Sequence, residues 1–276
     1  MKKYAWLLIA CFLFSNTAAF AGNAEIMMMP TRVVMDAQAR YSTVQLKNIG
    51  KATGNFSVNL VDMEMTESGT IVPLAPNRTD PYSAIPYLHI SPRSITLKPG
   101  ESQVVRLVLR KPEALQTGEY RSHLRVKIEN DNVEESENAA NVEKKKGITV
   151  KTNLVIYVPV IFRHGETQFA AQIADPRLVY DKEGRVSLNL YLLREGNRSV
   201  LGDFSIIYKE AGGKSRLLQF YPGIAIYRPT NRRLVSIPID LPKNTRLGDG
   251  TLEIRYSAQE SEGGKILATK AINTIK

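Results

Sequence analysis

The run ITVKTNLVIYVPVIF, residues 148–162, decides the fold. Successive side chains of a strand point to opposite faces, so the even positions form one apolar face that only Thr152 interrupts. The odd positions are polar up to Asn153 and mostly apolar from Val155 onward. Because the run is far longer than the usual strand of about 5–6 residues, we expect it to project from its sheet or to lie at an edge. A central strand buried between two sheets is the alternative that the pattern leaves open.

Shorter alternating runs fill the rest of the chain, separated by turn signals rich in glycine, proline and asparagine. No amphipathic helix is evident, and only residues 112–116 suggest a single helical turn. The sequence therefore predicts an all-β protein made of antiparallel sandwiches. A fresh series of strand and turn signals follows Arg163, so we expect a first domain at residues 22–163 and a second at 166–276.

The amino terminus has the layout of a cleavable secretory signal. A basic start is followed by an apolar run to about Phe14 and by small residues at positions −3 and −1 of a cleavage after Ala21. We therefore expect residues 1–21 to be removed and the protein to reach a bacterial periplasm. A lipoprotein signal at Cys11 is the less favoured alternative, because the apolar run continues past that residue. Cys11 is the one cysteine of the chain, so the mature protein has no disulfide and no thiol nucleophile.

The composition restricts the classes of function. The chain has 276 residues, 43% of them hydrophobic, with 37 Lys and Arg against 27 Asp and Glu. These values exclude low-complexity disorder, collagen and a polytopic membrane protein. The positive charges are spread along an exported chain, which argues against nucleic acid as a partner. Residues 130–146 are too polar to form a packed core, so we expect a loop there, either a plain connector or a lid or docking loop.

Catalytic and metal-binding motifs are not apparent. The three histidines, His89, His123 and His164, lack the close spacing of a zinc site, and no nucleophile motif or phosphate-binding glycine loop is present. Asp62 and Glu64 share a face of a predicted strand, as the carboxylates of a glycosidase would, but such pairs are usually solvated. We therefore predict no catalytic residue, no metal and no cofactor.

Three stretches of the first domain carry recognisable motifs. They are Thr31-Arg32-Val33-Val34-Met35 with the strand pattern that follows, residues 88–107, and residues 118–124. In this order they resemble the opening, the stretch P-x-x-x-x-L-x-P-G-x-x-Q-x-V-R and the GEYR strand of the periplasmic pilus-assembly chaperones of the chaperone–usher pathway, the PapD-like family. The resemblance covers most of the first domain, whereas in the second it rests on length and β pattern only.

The resemblance implies two immunoglobulin-like β-sandwich domains set in an L or boomerang shape. It also implies a protein without enzymatic activity that binds pilus or fimbrial subunits, completes their sandwich with its own strand, and delivers them to an outer-membrane usher. The donated face would consist of alternate residues of the run at 148–162, namely Ile148, Val150, Thr152, Leu154 and Ile156. Self-association through the same edge would be a second way to cover it.

The resemblance further implies that two basic residues anchor the terminal carboxylate of the subunit. Arg32 matches the first, and its planar fork suits a carboxylate. The second is a lysine in the family, but the matching position here is Pro159, so this chain departs from the pattern. Arg163 matches a hinge arginine of the family, with acidic partners that the sequence does not identify. The candidates for a substitute second anchor are Arg93, Arg125 and Lys151.

Two other functions remain open at this point. A structural pilus subunit or tip adhesin would carry its donor segment at the extreme amino terminus, whereas the donor-like run here is internal. A secreted carbohydrate-binding or hydrolytic sandwich would need aromatic side chains in a groove, but the one tryptophan, Trp6, lies in the signal segment. The sequence thus favours the chaperone.

Overall fold

The computed structural model describes residues 23–36, 38–129, 154–241 and 247–274. Within these ranges the chain consists of strands and loops, with two single turns of 3-10 helix at Ile85–Tyr87 and Glu260–Glu262 and no α-helix. The all-β prediction is therefore confirmed. No helix in the described ranges is long and apolar enough to cross a membrane. The predicted signal at 1–21 and the predicted loop at 130–146 lie outside the described residues.

The first half of the described chain forms one sandwich. One sheet has the strand order β1-β3-β9-β7, and the facing sheet has the order β2-β11-β10-β4-β8. The short strands β5 and β6 form a separate hairpin. The strands of this half are β1 (Ile26–Met29), β2 (Val33–Met35), β3 (Tyr41–Asn48), β4 (Gly54–Val61), β5 (Met63–Met65), β6 (Ile71–Pro73), β7 (Leu88–Ser91), β8 (Ser94–Leu97), β9 (Ser102–Leu109), β10 (Gly118–Glu129) and β11 (Val155–His164).

Alternation places the apolar side chains of both sheets inside this sandwich. Along β3, Val44 and Leu46 are fully buried, while Gln45 between them is exposed. The ring of Tyr120 on β10 stacks on Phe162 of β11, with centroids 4.9 Å apart. The side chain of Asn48 is buried at the end of β3, where its amide donates to the carbonyls of Ala52 and Leu97 and closes the turn into β4. The hydrophobic core therefore lies between the two sheets.

The second half forms another sandwich with its own core. A sheet of order β12-β13-β16 faces a sheet of order β15-β14-β17-β18. The hydroxyl of Tyr256, fully buried in this core, donates to the carbonyl of Ile224 at 2.7 Å. The domain division at 163 and 166 stays a prediction. The strands of this half are β12 (Phe169–Tyr180), β13 (Val186–Gly196), β14 (Val200–Glu210), β15 (Ser215–Ile226), β16 (Arg232–Ile239), β17 (Gly250–Ala258) and β18 (Ile266–Thr274).

The apolar run at residues 148–162 is only partly described. Its residues 148–153 lie outside the described ranges, and β11 begins at Val155. The strand does not stop at Phe162 but continues through Arg163 and His164, because these residues pair with the start of β10. The chain leaves the strand at Gly165, whose positive φ of 64° favours glycine.

Candidate functional site

Strand β11 has one covered edge and one edge that is open over part of its length. It pairs with β10 along its whole length, but on the other side β2 pairs only with Val160–Phe162. No described strand pairs with 155–159 on that side. The carbonyl of Leu154 accepts a hydrogen bond from the amide of Ile128 on β10 at 3.2 Å. Since the direction of backbone groups alternates along a strand, the N–H and C=O groups of Val155 and Tyr157 point toward the open edge.

The apolar inner face of β11 emerges from its own core toward the start of the strand. Phe162, Val160 and Val158 are buried, Ile156 is only partly buried against the same core, and Leu154 is 40% exposed. Of the predicted donor face, Leu154 and Ile156 therefore lie where the core of the sandwich ends. Its other members, Ile148, Val150 and Thr152, lie outside the described residues.

The backbone nitrogen of Pro159 points away from β10. Because backbone directions alternate along the strand, this nitrogen faces the open edge, so its missing N–H removes no hydrogen bond to β10. Proline within a sheet is confined to such edge positions. Its position therefore agrees with an edge strand rather than with a central strand buried on both sides.

A basic cleft lies next to this edge, where both sandwiches contribute residues. Arg32 precedes β2, and Arg121 lies on β10 with only 5% of its surface exposed. The guanidinium carbons of both lie over the ring of Tyr227, which follows β15, at 5.9 Å and 4.5 Å from its centroid. In each arginine the Nε and Nη1 atoms are buried without a hydrogen-bond partner. The Nη2 atom of Arg121 donates to the carbonyl of Met63 at 3.0 Å and to that of Arg228 at 3.4 Å.

The electrostatics of the cleft follow from burial. Desolvation lowers the pKa of the Arg121 guanidinium, partly offset by Tyr227, Asp80, Glu119 and Asp62. Arginine nevertheless keeps its charge in proteins, so both guanidiniums are cations. The charge of Arg121 is offset by Asp80, Glu119 and Asp62. Arg32 is only partly buried, and its guanidinium is chemically suited to bind a carboxylate.

Arg163, which the family resemblance predicts as a hinge residue, has acidic partners that the sequence alone did not reveal. Its Nε lies 3.3 Å from Oε2 of Glu119, a side chain with 1% of its surface exposed. Weaker contacts reach Asp36 at 3.8 Å and Glu262 at 3.6 Å. The other oxygen of Glu119 accepts from the backbone amide of Ser199 in the second sandwich at 3.1 Å. This network links β10 and β11 to the second half of the chain.

The β5–β6 hairpin makes a second connection between the halves. The backbone carbonyl of Glu67 accepts from the amide of Leu234 on β16 at 2.7 Å, and the Glu67 carboxylate lies 3.1 Å from Nε of Arg232. The Thr230 hydroxyl donates to the carbonyl of Met65 at 2.7 Å. Contacts at two places thus join the first sandwich to the second.

The structure separates the other candidates from this site or leaves them undescribed. Arg93 is exposed in the turn between β7 and β8, and Lys151 lies outside the described residues. Arg125 lies on β10 opposite Tyr157 and is partly buried. Asp62 and Glu64 do not act as a pair, since Asp62 accepts from the Ser122 hydroxyl and Glu64 binds Arg78. No cluster of three or more potential metal ligands occurs among the described residues.

Sequence reasoning missed three residues of the site: Arg121, Glu119 and Tyr227. The first two lie in the GEYR motif that the family resemblance rests on, so a sequence signal existed for their presence but not for their roles. Tyr227 comes from the second half of the chain, and only the folded arrangement brings its ring to the two arginines.

Comparisons with known proteins give similarity at the level of structure only. No family model matches the chain, and no curated protein matches it. Among solved structures, the class 5 fimbriae chaperone CfaA is 11% identical with a TM-score of 0.42, over 91% of this chain and 100% of that one. The E. coli chaperone DraB is 11% identical with a TM-score of 0.41, over 92% and 98%.

A third similar structure is a chain of the CsuC–CsuE chaperone–tip adhesion subunit pre-assembly complex of archaic Csu pili from Acinetobacter baumannii. It is 12% identical with a TM-score of 0.43, over 91% of this chain and 98% of that one.

Proposed function

We propose that this protein is a periplasmic chaperone for pilus or fimbrial subunits that lends the open edge of β11 to an incomplete subunit sandwich. The observation that carries the proposal is the combination of an open edge at residues 155–159 with an apolar face that leaves its own core at Ile156 and Leu154. An exposed apolar strand edge is a hazard that soluble proteins normally cover. Binding a client strand there would cover it.

Main-chain pairing and side-chain burial would both contribute to binding of the client strand. The backbone groups of Val155 and Tyr157 supply the ladder, which any client strand can use. Leu154 and Ile156 supply apolar contact with the client's open core. Full burial of a large aliphatic side chain is worth about 1.5–3 kcal/mol, so covering the exposed 40% of Leu154 contributes about 1 kcal/mol. The undescribed donor positions Ile148, Val150 and Thr152 extend the same face in this proposal.

Arg32 would fix the register of the client by binding its terminal carboxylate. Arg32 is partly buried at the level of Pro159 on β11, and its guanidinium carbon lies 5.9 Å from the centroid of the Tyr227 ring. A planar guanidinium can hold a carboxylate through two parallel hydrogen bonds. Arg163 has a different role in this proposal, because its contacts with Glu119, Asp36 and Glu262 maintain the hinge.

Delivery to an outer-membrane usher, a cleaved signal ending at Ala21 and a role without catalysis belong to the same proposal. Self-association of the free protein through the open edge is a further part of it. The internal position of the edge strand argues against the alternative of a structural pilus subunit. No described feature favours a carbohydrate-binding sandwich.

The direct experiment is co-expression in the periplasm with the pilus subunits encoded beside the gene. We expect soluble, protease-resistant subunit only when the chaperone is present, and a large drop in complex yield for Arg32→Ala. Arg93→Ala is the matched control, since it removes an exposed turn arginine of the same sandwich. Subunits that accumulate equally without this protein would contradict the function, and equal yields from the two variants would contradict the anchor.

A further inference from the structure

The β5–β6 hairpin is a structural unit of its own beside the first sandwich. Among the described strands, β5 and β6 pair only with each other. The amide of Gly69 at the tip donates to the carbonyl of Thr66 at 2.9 Å. The hydroxyl of Ser68 bonds to those of Thr66 and Thr70 at 2.9 Å and 3.2 Å. Such local bonds stabilise a turn, so the tip can move as one piece relative to the two sheets.

The tip of this hairpin lies on the free edge of β16. β16 is the last strand of its sheet and pairs with β13 on one side only. On the other side, the amide of Leu234 donates to the carbonyl of Glu67, and no described strand pairs with this edge. The Leu234 side chain is 42% exposed even with the hairpin in place. The hairpin therefore covers an apolar strand edge that proteins normally protect.

The contacts of the tip are weaker than those near the connection between the sandwiches. The side chains of Glu67 and Arg232 are both more than half exposed, and ion pairs of this kind contribute little stability. Glu119, in contrast, is almost completely buried between Arg163 and the amide of Ser199. Separating a buried pair of this kind is strongly unfavourable. The docking of the tip is therefore the interaction between the sandwiches that opens more easily.

Gly69 shows how closely the tip fits against the second sandwich. Its φ is 84°, and a Cβ at this position would overlap the guanidinium of Arg233. That guanidinium is held in place because its Nη1 donates to the carbonyl of Ala225 at 2.6 Å. Any side chain at residue 69 must therefore displace Arg233 or lift the tip. Gly100 has nearly the same φ of 80°, but a Cβ there would contact nothing.

We propose that the β5–β6 hairpin is a releasable latch that fixes the angle between the two sandwiches. Its docking site on β16 pairs with Leu192 and Leu193, which lie three to four residues along β13 from Gly196, or about 10–13 Å. A contact at this distance from the buried pivot at Glu119 resists rotation about the pivot. When the latch lifts, the second sandwich is free to turn, as is usual where the interface between two domains is small.

Release of the latch would also affect the cleft. Thr230, whose hydroxyl donates to the carbonyl of Met65 at 2.7 Å, follows Tyr227 by three residues. The docked hairpin therefore helps to hold the Tyr227 ring beside Arg32. The inference goes beyond the proposed function, because it concerns the angle between the sandwiches and needs no client.

The test measures this angle by single-molecule fluorescence energy transfer. The one cysteine, Cys11, lies in the predicted signal, so the mature protein can be labelled at Lys51→Cys and Gly212→Cys. Both positions are exposed turns at the ends of their sandwiches remote from Gly165. We expect one dominant transfer efficiency in the labelled parent.

Two substitutions in the labelled protein act on the latch. Gly69→Ala should raise a second population, with a different efficiency, roughly tenfold. Thr230→Val, which removes the hydroxyl donor but keeps the shape, should act in the same direction. Gly100→Ala is the matched control, because it introduces the same backbone strain without an overlap, and it should leave the distribution unchanged.

The outcomes decide about the latch independently of subunit capture. Unchanged distributions in both Gly69→Ala and Thr230→Val would contradict it. Equal changes in Gly69→Ala and Gly100→Ala would attribute the effect to backbone strain and would also contradict it. If Gly69→Ala fails to fold, as judged by circular dichroism, Thr230→Val decides alone. Since no client is present, a failure of subunit capture leaves this result unaffected.

Discussion

The buried histidine opposite Pro159 should make the stability of this protein depend on pH below neutrality. His123 is 3% exposed, its Nδ1 has no hydrogen-bond partner, and burial is the main cause that lowers its pKa from 6.5 to about 3. The unfolded chain therefore binds a proton at this residue as pH falls through about 6.5, whereas the folded chain does not until about 3. Unfolding takes up protons in that window, so stability is lost as pH falls.

The magnitude follows from the two pKa values. Between pH 7 and pH 5 the protonation of the unfolded histidine favours unfolding by about 2 kcal/mol. Other groups also titrate in this interval, so the comparison needs a variant without the imidazole. His123→Gln keeps a polar side chain of similar size that cannot titrate. We expect the loss of stability from pH 7 to pH 5 to be about 2 kcal/mol smaller in this variant than in the wild type.

The assay is urea unfolding at both pH values, followed by circular dichroism. His89→Gln, at an exposed position on β7, controls for the loss of a histidine as such. Only the change between the two pH values is compared, because His123→Gln can alter the absolute stability through packing. Parallel pH dependences of wild type and His123→Gln would show that His123 titrates normally.

Two further predictions concern the hinge and the donor face. Glu119→Gln removes a buried charge next to Arg163 and should lower the free energy of unfolding by about 2 kcal/mol. Glu64→Gln, in a more exposed ion pair, should lower it by less than about 1 kcal/mol. Equal losses of the two variants in urea unfolding would contradict the hinge role. Leu154→Asp should reduce the yield of chaperone–subunit complex much more than Tyr157→Asp, since only Leu154 lies on the donor face. Equal losses of complex in a pull-down would mean that the donor face is assigned wrongly.

The alternation of apolar and polar residues predicted the all-β architecture from the sequence, but it could not show how the strands are arranged relative to one another. The apolar positions of runs such as β3 identified the inner faces correctly because burial follows the period of the strand. The edge position of residues 155–159 depends on where β2 stops pairing, and that is a long-range contact. The sequence also could not show that the strand continues through Arg163 and His164, since their pairing partners lie on β10.

The chemistry of the site was harder to predict from the sequence than the fold. Arg32 could be selected by its resemblance to a family motif, but Arg121 looked like an ordinary strand residue. Its importance comes from the Tyr227 ring and from the burial of its unpaired nitrogen atoms, which depend on the packing of the second sandwich against the first. In the same way, the partners of Arg163 are scattered through the chain at Asp36, Glu119 and Glu262.

The central claim is that a client strand pairs with the open edge of β11, and amide hydrogen exchange at three consecutive residues tests it most directly. The amides of Val155 and Tyr157 point toward the open edge, whereas that of Ile156 points toward β10. In the purified chaperone–subunit complex, we expect exchange at Val155 and Tyr157 to slow by orders of magnitude relative to the free protein, with little change at Ile156. Unchanged exchange at Val155 and Tyr157 in a complex that is demonstrably intact would mean that the subunit is held elsewhere.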